Sequence, residues 1–343
     1  MTTMHRRRRA LTLASALLLG PWCTAFAQTD RPQVSSDQSR ALERAANAVV
    51  GLQATAVAGA GSARTLGSTR QGSGVVIDAD GLVLTIGYLI LEAEQVQLVT
   101  DDQRRIPARV VAYDQASGFG LVRALAPLKL EPVPLGRARA LEESQPLMIA
   151  SGGEAGAIGA AQLVSRRVFA GYWEYLVEDA LFTTPPRPDH SGAGLFNERG
   201  ELVGIGSLIV GDAAGGTRRV PGNMFVPVDL LPPILPELIA RGRSSGSERA
   251  WMGVNCVEMA GRVRVVRVTE DSPADVAGLE VGDQILRLDG QPVPTLAALW
   301  RALWQGSGSR RAVQLEIERG GQAQTLTVHT VDRAATLRRA EGV

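Results

Sequence analysis

The chain is predicted to be mostly β, folded into more than one compact unit. Three observations predict this. At 343 residues, 45% of them apolar, it is long enough to bury two or three cores. Gly 38 and Pro 18 break the sequence too often for sustained helices. Between the breaks lie short apolar or alternating runs bounded by turn residues, the pattern of sandwiches and barrels.

In chain order, Arg6 to Arg9, the apolar run Ala10 to Leu19 and the small-x-small site Ala25-Phe26-Ala27 make residues 1–27 a signal peptide. The run is short for a membrane span. The expected location is therefore periplasmic or secreted, with no stable span after cleavage; a retained leader acting as an anchor is the alternative. Cys23 leaves with the leader and Cys256 remains alone, so neither an internal disulfide nor a Cys/His metal cluster is expected, and no cofactor is implied. A formal net charge of +1 leaves no electrostatic footprint for nucleic acid.

Residues 28–45 read as an N-terminal linker, although Ser39 to Val50 can form a short helix leading into a strand, and Gln53 to Gln71 reads as a loop. A first folded region spans 46–241. Its strands begin with Val75 to Ile77, the turn Asp78-Ala79-Asp80-Gly81 and Leu82 to Thr85. Val96 to Thr100, Ala108 to Ala112 and Gly120 to Arg123 continue the series, and a second set runs from Leu147 to Val226. Asp229 to Arg241 reads as helical. Residues 242–250 form a flexible linker, 251–332 a second compact unit, and 333–343 a charged, frayed tail.

The segment Asp189-His190-Ser191-Gly192-Ala193-Gly194-Leu195 presents a serine followed by the glycines Gly192 and Gly194. A serine hydroxyl is a poor nucleophile until a base takes its proton. The histidines are His5, in the leader, His190, beside the serine, and His329, in the second unit. Adjacent side chains on an extended backbone point to opposite faces, which turns His190 away from Ser191. The sole lysine, Lys129, has no motif to support a Ser–Lys pair.

Residues 72–228 resemble the serine protease domain of the HtrA (Deg) family, whose fold is two trypsin-like β-barrels. The landmarks are Gly72-Ser73-Gly74 with Gly81 and Leu84-Thr85, then Val110 to Asp114, then Ser191-Gly192 with Leu195, Asn197 and Gly200, and finally Gly222 to Val228. Against that resemblance, Tyr88 stands at the position of the triad histidine and Gly118 at that of the aspartate; only Ser191 matches. Asp189 replaces the glycine that shapes the oxyanion hole. Its carboxylate is expected to repel a developing oxyanion, and its Cβ to disfavour the loop geometry.

Residues 251–331 resemble a PDZ domain as found in bacterial HtrA proteins. The landmarks are Trp251-Met252-Gly253-Val254, Ser272-Pro273-Ala274, Ala277-Gly278-Leu279, Gly282 to Leu286 and Asp289-Gly290. The resemblance implies that Trp251 to Val254 form a carboxylate-binding loop, whose N–H groups make a nest for a peptide C-terminus. The strand Asn255 to Met259 offers an edge to the peptide. A helix from Leu296 to Trp304, capped by Thr295, lines the opposite wall through Leu299 and Leu303; filling the core is the other reading of those leucines.

The fold implied is a trypsin-like double β-barrel followed by a PDZ domain. The function implied is an exported HtrA-like homologue, catalytically inactive, that binds peptide C-termini or unfolded segments as an adaptor, chaperone-like holder or regulator. The alternatives are an active or weakly active serine endopeptidase of envelope protein quality control, using Ser191 with a non-standard base, and a structural scaffold. By resemblance the chain forms homotrimers.

Overall fold

A computed structural model of the protein describes residues 35–215, 219–306 and 308–338. The expected signal peptide, the start of the 28–45 stretch and the end of the tail lie outside the described residues.

Helix α1 (Ser36–Asn47) falls largely within the stretch read as a linker. It forms because Ala45 and Ala46 bury against the first barrel, joining a core with Val49, Leu52 and Phe119. That barrel closes in the order β1-β2-β3-β6-β5-β4 from β1 (Val49–Ala56), β2 (Thr69–Val76), β3 (Leu82–Ile86), β4 (Ala93–Val99), β5 (Arg105–Tyr113) and β6 (Phe119–Ala124). The segment 53–71 is more ordered than its composition predicts. It carries the end of β1, a short helix α2 (Ala63–Leu66) and the start of β2, because β1 is hydrogen-bonded on both sides and its small residues meet partner strands.

The second barrel closes in the order β10-β11-β12-β9-β8-β7 from β7 (Pro146–Ala150), β8 (Ile158–Gly171), β9 (Tyr175–Thr184), β10 (Gly194–Phe196), β11 (Leu202–Val210) and β12 (Gly222–Pro227). Ile149, Leu181, Leu195, Val203 and Phe225 fill it. Strands β8 and β9 are the two longest among the described residues, and their hairpin carries residues 172–174 to the C-terminal unit.

Helix α3 (Leu235–Arg241) ends at Gly242 in the left-handed conformation. The segment after it was expected to be flexible, yet it is fastened to the first barrel. The hydroxyls of Ser244 (2.5 Å) and Ser247 (2.7 Å) donate to the buried Asp114 carboxylate, which also accepts from the Ser117 N–H and hydroxyl. A buried carboxylate demands such donors, and here they come from the connecting chain.

The C-terminal unit comprises β13 (Ala250–Trp251), β14 (Val254–Met259), β15 (Arg262–Val268), α4 (Pro273–Val276), β16 (Gln284–Leu288), β17 (Gln291–Pro292), α5 (Leu296–Trp304), β18 (Ala312–Arg319), β19 (Gln322–His329) and β20 (Val331–Asp332). Its sheet runs β14-β15-β16-β18-β19, which leaves β14 at an edge. The Thr295 hydroxyl accepts from the Ala298 N–H (3.1 Å) and starts α5 where the sequence places it. The tail is held as far as Arg338, whose backbone N–H donates to Glu92 at 2.8 Å.

Candidate active site and peptide groove

Ser191 lies on the loop leading into β10. The loop is pinned: Ser73 N–H donates to the Ser191 carbonyl, and Gly192 N–H to the Gly206 carbonyl, each at 2.8 Å. Gly192 has φ +73, and a Cβ there would lie 2.0 Å from the Ser73 carbonyl oxygen, so only glycine fits.

Tyr88 follows β3 and points its hydroxyl at this loop. The hydroxyl lies 2.8 Å from Ser191 Oγ and 2.9 Å from the Ser207 carbonyl oxygen. A carbonyl can only accept, so the single phenolic proton sits toward Ser207 and the Ser191 hydroxyl donates to the phenol oxygen. Burial pushes the Tyr88 pKa up to about 12, against the bond from Ser191, so the phenol stays neutral. Among the described residues, no imidazole or carboxylate is a hydrogen-bond partner of Ser191 Oγ.

Gly118 has φ +81, and a Cβ there would lie 2.5 Å from the Tyr175 hydroxyl. That hydroxyl donates to the Ser117 carbonyl at 2.7 Å. Tyr175, from β9, thus fills the space a side chain at position 118 would need.

Asp189 differs from the sequence expectation of an uncompensated charge. Its carboxylate pairs with Arg187 (2.5 Å) and accepts from the Ser151 hydroxyl. Burial alone would raise its pKa, but Arg187, Ser151 and its own backbone N–H hold it below the usual carboxylate range. The charge is therefore neutralised locally. His190 Nδ1 donates to the Arg187 carbonyl at 3.0 Å, and burial draws its pKa down. Lys129 lines a separate surface depression with Asp78 and Asp80.

The second candidate site lies in the C-terminal unit. The N–H groups of Met252 (3.1 Å), Gly253 (2.7 Å) and Val254 (3.1 Å) converge on Oε1 of Glu174, at the tip of the β8–β9 hairpin. Gly253 has φ +90, and a Cβ there would lie 2.2 Å from that of Ser272, which explains the glycine. Trp251 is half-buried beside this loop and pairs with Val331. Leu299 and Leu303 are fully buried in a cluster that includes the hairpin's own Leu176. Cys256 is buried in β14, and burial pushes its thiol well up. Sequence reading missed Glu174, Tyr175, Arg187 and Ser151. Of these, the Arg187-x-Asp189 pair had a local signal, since residues two apart on extended chain share a face.

The described residues contain no cluster of three or more His, Cys, Asp or Glu placed to hold a metal ion, and no helix among them is long and apolar enough to cross a membrane.

The sequence matches the trypsin-like peptidase domain over residues 72–205 and the PDZ domain over residues 250–330. A protein of Pseudomonas fulva named "Probable periplasmic serine endoprotease DegP-like" is 31% identical over 283 residues, covering 75% of this chain and 55% of that protein. One of the same name from Pseudomonas fluorescens is 29% identical over 274 residues, covering 74% and 55%. The chain thus spans about half the length of these curated relatives. The solved structure of the HtrA-type protease AlgW with a tripeptide shares the fold, with a TM-score of 0.53 at 22% identity, over 86% of this chain and 97% of that one. With a trypsin-like peptidase domain and a PDZ domain in this order, and with these relatives, the chain belongs to the HtrA family.

Proposed function

We propose that the chain is an exported, catalytically inactive member of this family that binds peptide C-termini or unfolded segments through its PDZ domain, as an adaptor, chaperone-like holder or regulator of active relatives. The observation that carries the reading is the partner of Ser191. Acyl transfer begins when a base removes the serine proton, and among the described residues the acceptor bonded to Ser191 Oγ is a neutral phenol already bonded to a carbonyl. In proteases of this mechanism, loss of one triad member costs several orders of magnitude in rate. Two positions of this chain lack the needed group.

The binding half rests on the loop at Gly253, whose donors suit a carboxylate. The relatives' printed names and the expected leader support a periplasmic address. A homotrimer follows from the family resemblance.

Incubating the full chain with an unfolded protein substrate tests the catalytic half. The expected result is no cleavage above that of Ser191→Ala. Cleavage abolished by Ser191→Ala would favour an active endopeptidase with a non-standard base.

A further inference from the structure

We propose that the tip of the β8–β9 hairpin is a built-in ligand of the PDZ carboxylate loop, which a peptide C-terminus must displace in order to bind. The inference deepens the peptide-binding reading above and rests on it.

The hairpin reproduces both elements by which an extended peptide is recognised at a strand edge with a carboxylate nest. The first is the carboxyl acceptor. A glutamate side chain carries the same acceptor group as a chain terminus, and that of Glu174 is met by three successive N–H groups, with Gly253 at 2.7 Å. Glu174 is 2% exposed. The second is the edge. Cys256 N–H donates to the Tyr172 carbonyl at 2.7 Å, and Trp173 lies antiparallel to Asn255. This is the side of β14 left free by the sheet.

Three further contacts seat the hairpin. Leu176 joins the apolar core of the C-terminal unit. Trp300 Nε1 donates to the Gly171 carbonyl at 2.9 Å. Arg301 on α5 forms a two-pronged pair with Glu178, at 2.9 and 2.6 Å. An N–H has one proton, so the donors that hold Glu174 cannot hold a second carboxylate; occupancy is exclusive. The next residue in the hairpin is Tyr175, which fills the space beside Gly118, so one hairpin serves both candidate sites.

The test uses the full chain, a pooled peptide library with randomised free C-termini, and the same pool amidated. Glu174→Ala is expected to bind the free-carboxylate pool about tenfold more tightly than the unsubstituted chain, because the fraction of open loop limits apparent affinity, and to gain nothing for the amidated pool. Arg301→Ala loosens the hairpin without touching the loop, and a smaller gain in the same direction is expected. Hydrogen exchange at Met252 to Val254 is read in parallel and is expected to be slow in the unsubstituted chain and faster in Glu174→Ala. Equal affinities in all three proteins would overturn the competition. Unchanged exchange on Glu174→Ala would overturn the occupancy itself. No peptide retained by any protein, with exchange still released in Glu174→Ala, would uphold the occupancy and overturn the peptide-binding reading.

Discussion

Around Ser191 the loop is pinned and the hydroxyl meets a phenol, whereas around Gly253 three N–H donors are already satisfied from within the chain. The Ser191 loop keeps its left-handed Gly192 and its pinning to Ser73. Tyr88 lies against the serine and Tyr175 fills the space beside Gly118, and each finds a carbonyl for its hydroxyl. The Gly253 loop keeps three aligned donors, and the chain supplies the acceptor. Both follow from one rule: buried polar groups take partners whether or not chemistry is done there. The difference is reversibility. A side chain packed among its neighbours leaves only when they move, whereas the hairpin seated on an edge strand is proposed to give way to a peptide.

The strongest way to break the contrast is to rebuild the triad. Tyr88→His with Gly118→Asp is expected to lose about 3–5 kcal/mol of stability, from overpacking against Tyr175 plus a non-glycine residue at positive φ, and to gain no peptide hydrolysis. Denaturant unfolding and a turnover assay check this, and a stable double variant that cleaves would show the slot to be open. Next, Gly253→Ala meets Ser272 and a left-handed backbone at once. A loss of about 2–4 kcal/mol is expected, together with carboxylate-dependent binding, by unfolding and peptide titration.

A pH series sharpens the same comparison. Burial lifts Glu174 to about 7, although the N–H groups of residues 252–254 and the nearby Arg333 pull the other way. A carboxyl whose folded pKa lies above its unfolded value adds stability below the usual carboxylate range and loses it as pH rises to the folded pKa. The unsubstituted chain should therefore fall in stability relative to Glu174→Gln between about pH 4.5 and pH 7, by on the order of 2 kcal/mol. The smallest effect belongs to Tyr88→Phe. It strips the Ser207 carbonyl of its donor and is expected to cost about 1 kcal/mol by thermal unfolding and to leave Ser191 unlabelled by a covalent probe.

The sequence made the double barrel and the PDZ unit legible because each is set by local signals. Turn glycines, alternating runs and the Thr295 cap act over a few residues. Tyr88 and Gly118 stand out in the sequence as departures from the resembled motif, because motif order sets which positions are compared. What fills the vacated space was not legible. Tyr175 reaches Ser117 across 58 residues and Glu174 reaches Gly253 across 79, contacts fixed by how folded units meet. The same holds for the 242–250 segment. Its Gly/Ser composition favours flexibility, but Asp114 needs donors and takes Ser244 and Ser247. Asp189 was expected to repel an oxyanion from its charge alone, and Arg187 two residues away removes that premise.

The most direct test of the central claim is intact-protein mass spectrometry of the folded chain after exposure to a fluorophosphonate, which adds covalently to a serine only when the hydroxyl is activated. The account predicts an unshifted mass. A stoichiometric adduct mapped to Ser191, and absent from Ser191→Ala, would contradict it.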